Sequence, residues 1–292
     1  MNNGIAQIVS AICPTGCRIR RVKCEFSKRH GFIKNDIQLD LSDLQREFIE
    51  RVELASGKPV IMQCDPEFAG HATIRIARDD QPAHLLLHKR EHVAVLPYLV
   101  AFQCLLALRT IEADAKARFD LSSASTMKEE VLKLTQSHAA KNPDIPEHAI
   151  PQLASQLGTG IGLQLRSFPI ALRVDKQIFD VFPQLHQLQR KSVELQIQEA
   201  MHALSPQIKK IAPSELIKAN ASMSSAYTQF WAGLWNEPSI STPFTAAGYQ
   251  EIGETLLALN STIPNDPDHD RELVDGWANA LGIDRWYQTV GR

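Results

Sequence analysis

The chain is predicted to be an α+β protein, with a small N-terminal mixed sheet and helices followed by a mainly helical C-terminal region. Three observations predict it. Short apolar runs separated by turn-forming residues recur up to His88. Val93 to Leu108 is then a long, almost continuous apolar run, interrupted only by Pro97 and Gln103, which suits one buried helix. Beyond Arg118 the apolar residues fall at three- and four-residue spacings, the period of an amphipathic helix. The change of pattern divides the chain into an α+β part, 1–125, and a mainly helical part, 126–292, packed on it. With 44% hydrophobic and 22% charged residues in 292, the chain can bury a sizeable core and is not expected to be disordered.

Residues 18–41 alternate loosely through Ile19, Val22, Cys24, Phe26, Ile33, Ile37, Leu39 and Leu41, which predicts two strands around a turn near Lys28–Gly31. Ser42 and Gln45 have capping-box spacing, so a helix is expected to open there. Leu44, Phe48, Val52 and Ala55 would be its buried face and Gly57 its stop. Pro59–Cys64, Ala72–Ala77 and His84–His88 read as three short strands. Asp65-Pro66 and Gly70 join the first two, and Arg78–Pro82 forms a hairpin turn between the second and third. The apolar helix follows over about 93–115, with Pro97 marking its first turns.

In the second half, Thr126 and Glu129 have capping-box spacing, and the prolines of 139–151 suggest a connection. Gly158-Thr-Gly160-Ile-Gly162 is expected to be a helix stop and turn, because it lacks the Lys-Ser/Thr of a phosphate-binding loop. Leu165–Asp175 reads as an apolar strand-like segment that carries Arg166 and Arg173, with Asp175 available to pair with one of them. Helices are expected over 184–204, 214–235, 246–260 and 270–281, the last closed by Gly282. Asp266–Glu272 opens like a calcium loop, but Arg271 and Trp277 stand where Gly and Glu are required. Its acids are expected instead to favour the following helix N-terminus.

The stretch His84–Arg118 carries the main functional expectation. A strand that runs into a long helix, after an earlier helix and two strands, resembles zincin-type metallopeptidases over about residues 42–118. In that family the helix carries His-Glu-x-x-His, so that two imidazoles one turn apart reach one zinc beside a Glu base. Here the best-fitting positions hold Phe102, Gln103 and Leu106, which can neither ligate zinc nor take a proton from water. The resemblance therefore implies a pseudoenzyme that has kept a peptide-binding shape, with no zinc at that helix.

Two rival chemistries remain open. His84, His88 and His92 are spaced by four, with His71 nearby, and together could bind zinc in a hydrolase. On a strand, His84 and His88 share a face, and a hairpin would bring His71 near them. At the N-terminus, Cys13, Cys17, Cys24 and His30 offer soft ligands at loose spacing. The same region holds Arg18, Arg20, Arg21, Lys23, Lys28, Arg29 and Lys34 against Glu25 alone, which raises nucleic-acid binding through 18–34. Residues 237–284, by contrast, hold nine acids against Arg271.

This separation of charge, the missing catalytic residues and the grouping of Phe230, Trp231 and Trp235 together predict a non-catalytic protein-interaction component of a larger assembly. Another protein is the expected partner, no cofactor is required, and no membrane is expected. The apolar N-terminus lacks a preceding basic stretch, which makes the cytoplasm the expected location.

Overall fold

The computed structural model describes residues 43–68 and 70–291. The two strands predicted over 18–41, the cysteines at 13, 17 and 24, and the basic cluster Arg18, Arg20, Arg21 and Lys23 lie outside the described residues. Within them the protein is α+β: a three-stranded mixed sheet with two helices, followed by a mainly helical region.

Helix α1 spans Asp43–Ser56 and buries Gln45, Phe48, Ile49 and Val52, the three- and four-residue spacing of one face. The face is turned slightly from the expected one: Ile49 and Gln45 are buried, and Ala55 is exposed. Ser42 of the expected capping box lies outside the described residues. Gly57 ends the helix with φ +70°, a conformation that glycine adopts without a Cβ clash, and its N–H donates to the Glu53 carbonyl at 2.8 Å.

Strands β1 (Val60–Cys64), β2 (Ala72–Arg75) and β3 (His84–His88) form a sheet in the order β1-β3-β2. β1 runs parallel to β3, with Val60 opposite His84. β2 is antiparallel to β3, with Ala72 opposite His88, and the hairpin turn lies at Arg78–Gln81 as expected. Lys58 holds that turn by donating from Nζ to the carbonyls of Arg78 (2.6 Å) and Gln81 (3.0 Å).

A 3-10 segment, Arg90–Val95, leads into α2, Leu96–Glu112, with Pro97 in its first turn, where a missing N–H costs nothing. Leu96, Leu99, Val100 and Leu105 of α2 pack with Phe48 and Val52 of α1 and Leu86 of β3 in one core cluster. Arg90–Glu112 is long and apolar enough to cross a membrane by length and composition, but more than half of its most apolar stretch is buried against the rest of the chain, the situation of a core helix.

Beyond Arg118 the chain is mainly helical, as expected, with one further pair of strands among the described residues. Strand β4 (Phe119–Ser123) pairs antiparallel with β5 (Tyr287–Gly291), joining the last residues to the middle of the chain. Neither segment alternates strongly enough to announce itself; each is a strand because the other supplies its hydrogen bonds. Helix α3 follows over Ser125–Ala139. Its N-cap is Ala124 and no side chain caps it, so the Thr126–Glu129 capping box does not form. The Thr126 hydroxyl donates instead to the Arg285 carbonyl, tying α3 to the C-terminal segment.

The largest departure is α4, Ile150–Val181, a continuous helix of 32 residues. It absorbs both the glycine run 158–162, expected as a turn, and Leu165–Asp175, expected as a strand. Two of the glycines serve close approach. A Cβ on Gly158 would collide with the Met127 sulfur of α3, and one on Gly162 would come within 2.6 Å of the Tyr287 ring. The Tyr287 hydroxyl donates to the Gly158 carbonyl at 2.9 Å, so β5 is latched directly to this small-residue stripe. Pro169 lies inside the helix and is itself buried.

Helices α5 (His186–Met201), α6 (Pro206–Ile211), α7 (Ser214–Trp235), α8 (Thr242–Ala246), α9 (Gln250–Thr262) and α10 (Asp270–Ala280) complete the fold. α7 has the bounds expected from its apolar periodicity and is closed by Asn236 in the left-handed region, φ 55°. Gly282 closes α10 at φ +70°, as expected. Leu157, Ile161, Leu165, Met223, Trp231, Leu256 and Trp277 meet in the helical core, while Val174 and Ile178, from the far end of α4, reach the core beneath the sheet.

Candidate functional site

The strand-to-helix region places its predicted residues as follows. Phe102 and Leu106 of α2 are half-buried and pack against apolar neighbours. Gln103 has a structural task. Its Oε1 accepts from the Ile74 N–H at 3.0 Å, and its Nε2 donates to the Ala72 carbonyl at 3.1 Å. β2 is at the side of the sheet away from β1, and these two backbone groups point outward from it. The amide thus closes that stretch of edge as a neighbouring strand would, since only a primary amide offers a donor and an acceptor in one plane. Gln103→Ala is expected to lower stability by about 1–3 kcal/mol, through the unpaired donor and acceptor it leaves behind. Gln103→Glu should also destabilise, because a carboxylate can accept from Ile74 but repels the Ala72 carbonyl. Urea unfolding of both variants checks this.

The histidines do not converge. His84 and His88 lie on the same face of β3, as expected, and both are buried. Both ring nitrogens of His84 are engaged: Nδ1 accepts from the Ala77 N–H at 2.9 Å, and Nε2 donates to the Ser56 hydroxyl at 2.8 Å. That pairing fixes a neutral tautomer that holds the end of α1 against the hairpin. His88 Nδ1 donates to the Lys89 carbonyl at 3.2 Å. His71 lies beside His92 rather than beside His84. Their rings stack with centroids 4.2 Å apart, and His71 Nε2 donates to the Glu199 carboxylate of α5 at 3.1 Å. Burial, then the neighbouring His71, pushes the His92 pKa below its ordinary value. Among the described residues, no group of three or more His, Cys, Asp or Glu side chains is placed to hold a metal ion.

The arginine expectation is corrected in its partner. Arg173 pairs with Asp270 of α10 at 3.3 Å, not with Asp175, and also donates to the Ile263 carbonyl at 2.8 Å. Arg109 of α2 meets the same carboxylate bidentately, at 2.9 and 2.6 Å. Sequence reasoning missed both Asp270 as the pairing acid and Arg109. Arg166 lies over the Phe119 ring at 4.3 Å, fixing β4 to α4. Asp175 is fully buried; its carboxylate accepts from the Tyr98 hydroxyl (2.7 Å) and from Gln189 Nε2 (3.2 Å). Burial raises its pKa to about 7, against the pull of those two donors. In the aromatic group, Trp231 is fully buried, and Trp235 is half-buried beneath the Arg190 guanidinium at 4.7 Å.

The feature that sequence reasoning missed is a cleft of about 1080 Å³ in the helical region. α3 contributes Glu130, Lys133 and Leu134, and the start of α7 contributes Ser214, Glu215, Lys218, Ala219 and Ser222. Tyr249, Glu251, Ile252 and Thr255 come from α9 and the turn before it, and Leu281, Ile283, Arg285 and Trp286 from the segment after α10. Its walls meet only through long-range contacts, including the β4–β5 pairing that returns residues 285–286 to α3, which is why no local motif foretold it. Compared with family models, with curated proteins and with solved structures, the chain matches none.

Proposed function

We propose that this protein is a non-catalytic, cytoplasmic interaction component that engages another protein through the cleft between α3, α7, α9 and the end of α10. The observation that carries the reading is the cleft itself: an open space of about 1080 Å³ lined by apolar residues together with six charged ones. That is at the upper limit of ordinary small-molecule sites, about 300–1,000 Å³, and suits a segment of polypeptide. The reading is supported further by the α2 helix, where the amide of Gln103 closes a sheet edge in the position where a zincin-type enzyme carries its Glu base. In this reading the N-terminal part is a zincin-like scaffold without hydrolytic chemistry.

The test is a random 12-residue peptide library displayed on phage and selected against the immobilised full chain. Selected peptides should lose at least tenfold in affinity when Thr255, exposed in the cleft wall, is changed to Trp. Peptides that bind Thr255→Trp as well as they bind the parent would place the interaction elsewhere. Stoichiometric zinc by elemental analysis, together with casein hydrolysis lost in His84→Ala/His88→Ala, would overturn the non-catalytic reading.

A further inference from the structure

We infer that His71, His92 and Glu199 form an acid-sensitive latch, which holds the sheet part to the end of α5 at neutral pH and opens when His92 gains a proton. The inference goes beyond the cleft reading and does not rest on it.

Three observations carry it. The group joins three separate elements: His71 precedes β2, His92 lies in the 3-10 segment Arg90–Val95, and Glu199 is in the last turn of α5. His71 is the middle member. Its ring stacks on His92 at an interplanar angle of 15°, with centroids 4.2 Å apart, and its Nε2 donates to the Glu199 carboxylate at 3.1 Å. Second, His71 Nδ1 is buried without a hydrogen-bond partner. Buried ring nitrogens are normally paired, so opening, which lets water reach this one, removes a cost of the closed form. Third, His92 is largely buried, yet no carboxylate is committed to it. Glu91 lies 3.6 Å from its Nε2 but is held by the Lys89 ammonium at 3.0 Å, and Glu199 is held by His71.

A neutral imidazole packs flat on its neighbour; a charged one needs water, which this position does not supply. The charged and titratable groups that face His92 are Lys89 and Glu91 beside it in the chain, His71 before β2, and Glu199 of α5. Burial and the adjacent His71 disfavour its proton more than the two carboxylates favour it, and Lys89 disfavours it further. The sign follows. The closed ring binds a proton less readily than a free imidazole, whose ordinary value is 6.5. The closed form is therefore favoured above that value and is lost as pH falls below it, because the ring takes up its proton by leaving the stack. His71 then loses its cover, and water weakens its bond to Glu199.

Amide hydrogen exchange of the full chain at pH 7.5 and pH 5.5, corrected for the pH dependence of intrinsic exchange, tests the latch. Protection of residues 90–95 and 196–201 should fall at least tenfold at the lower pH, while Leu99–Leu108 of α2 keeps its protection. His92→Phe keeps a flat ring on His71 but cannot take up a proton, so both segments should be equally protected at the two pH values. His92→Gln should behave in the same way, which covers the case of a phenyl ring that disturbs folding. Glu199→Ala, which removes the anchor on α5, should lower protection of both segments at pH 7.5 to near the acid level. Equal protection of the parent at both pH values, or a fall that the two neutral His92 variants reproduce, would overturn the inference. Protection that Glu199→Ala leaves unchanged would remove the anchor, and the latch with it.

Discussion

Replacing Asp270 by Ala should destabilise the protein by about 3–5 kcal/mol, the range seen when one member of a buried ion pair is removed. Asp270 is shared by two guanidiniums, Arg109 at 2.6 Å and Arg173 at 3.3 Å, and all three side chains are nearly buried. The cluster joins α2 of the sheet part, the middle of α4 and the start of α10. Its carboxylate is the only anion recorded in ion-pair contact with either arginine among the described residues. Its loss would leave two cations desolvated and repelling one another, so the cost comes from the stranded charges more than from the lost attraction. Removing the charges together, as Arg109→Met/Arg173→Met/Asp270→Leu, should therefore cost much less than the single change. Urea unfolding at fixed pH measures both. A single variant within 1 kcal/mol of the parent would show that the arginines can turn to solvent, and the cluster would lose its role as the bolt between the two parts.

Asp175→Asn should stabilise the protein above neutral pH and flatten its pH dependence. The Asp175 carboxyl is fully buried with no cation beside it, and its folded pKa is raised from 3.8 to about 7. The folded state thus holds this proton more tightly than the unfolded chain. Between about pH 4 and pH 7 the unfolded chain releases the proton while the folded protein keeps it, so stability falls as pH rises. Across that window the loss is about 4 kcal/mol at roughly 1.4 kcal/mol per unit. Below the window both states are protonated and the contribution is flat. Asparagine keeps an acceptor for the Tyr98 hydroxyl and for Gln189 Nε2 but carries no charge to desolvate. Thermal unfolding at pH 4 and pH 8 should show the variant close to the parent at the first and clearly more stable at the second. Equal pH dependence in the two proteins would mean that Asp175 is not the buried acid that titrates.

Elements whose cause is local were legible. The Gly57 and Gly282 stops, the hairpin turn at Arg78–Gln81, Pro97 in the first turn of α2, and the bounds of α7 all follow from backbone preference or apolar period. The errors have a common origin. Gly158 and Gly162 signal a turn when read alone, because a helix gives up free energy at each glycine. In the fold they let Met127 and Tyr287 approach α4, and that packing outweighs propensity. Leu165–Asp175 reads as a strand because Phe168–Leu172 at its centre is apolar at every position, and it is so because this part of α4 is enclosed by other elements. β4 and β5 are invisible separately and define each other as strands. The candidate site divides in the same way. That Phe102, Gln103 and Leu106 cannot perform zinc chemistry is plain from residue type, but the sheet-edge role of Gln103 needs Ala72 and Ile74 in space.

The sequence by itself determined the α+β class, most of the helices and turns, and the absence of catalytic side chains at 102, 103 and 106, because these depend on residue chemistry and on periods of two or 3.6 residues. The tertiary structure alone decided that His71 stacks on His92, that Asp270 rather than Asp175 receives Arg173, and that α3, α7, α9 and the chain after α10 enclose a cleft. Each of these joins residues that are widely separated along the chain. Which of many equally charged or equally apolar candidates meet is settled by packing and by the satisfaction of buried polar groups, and neither is encoded in any single stretch.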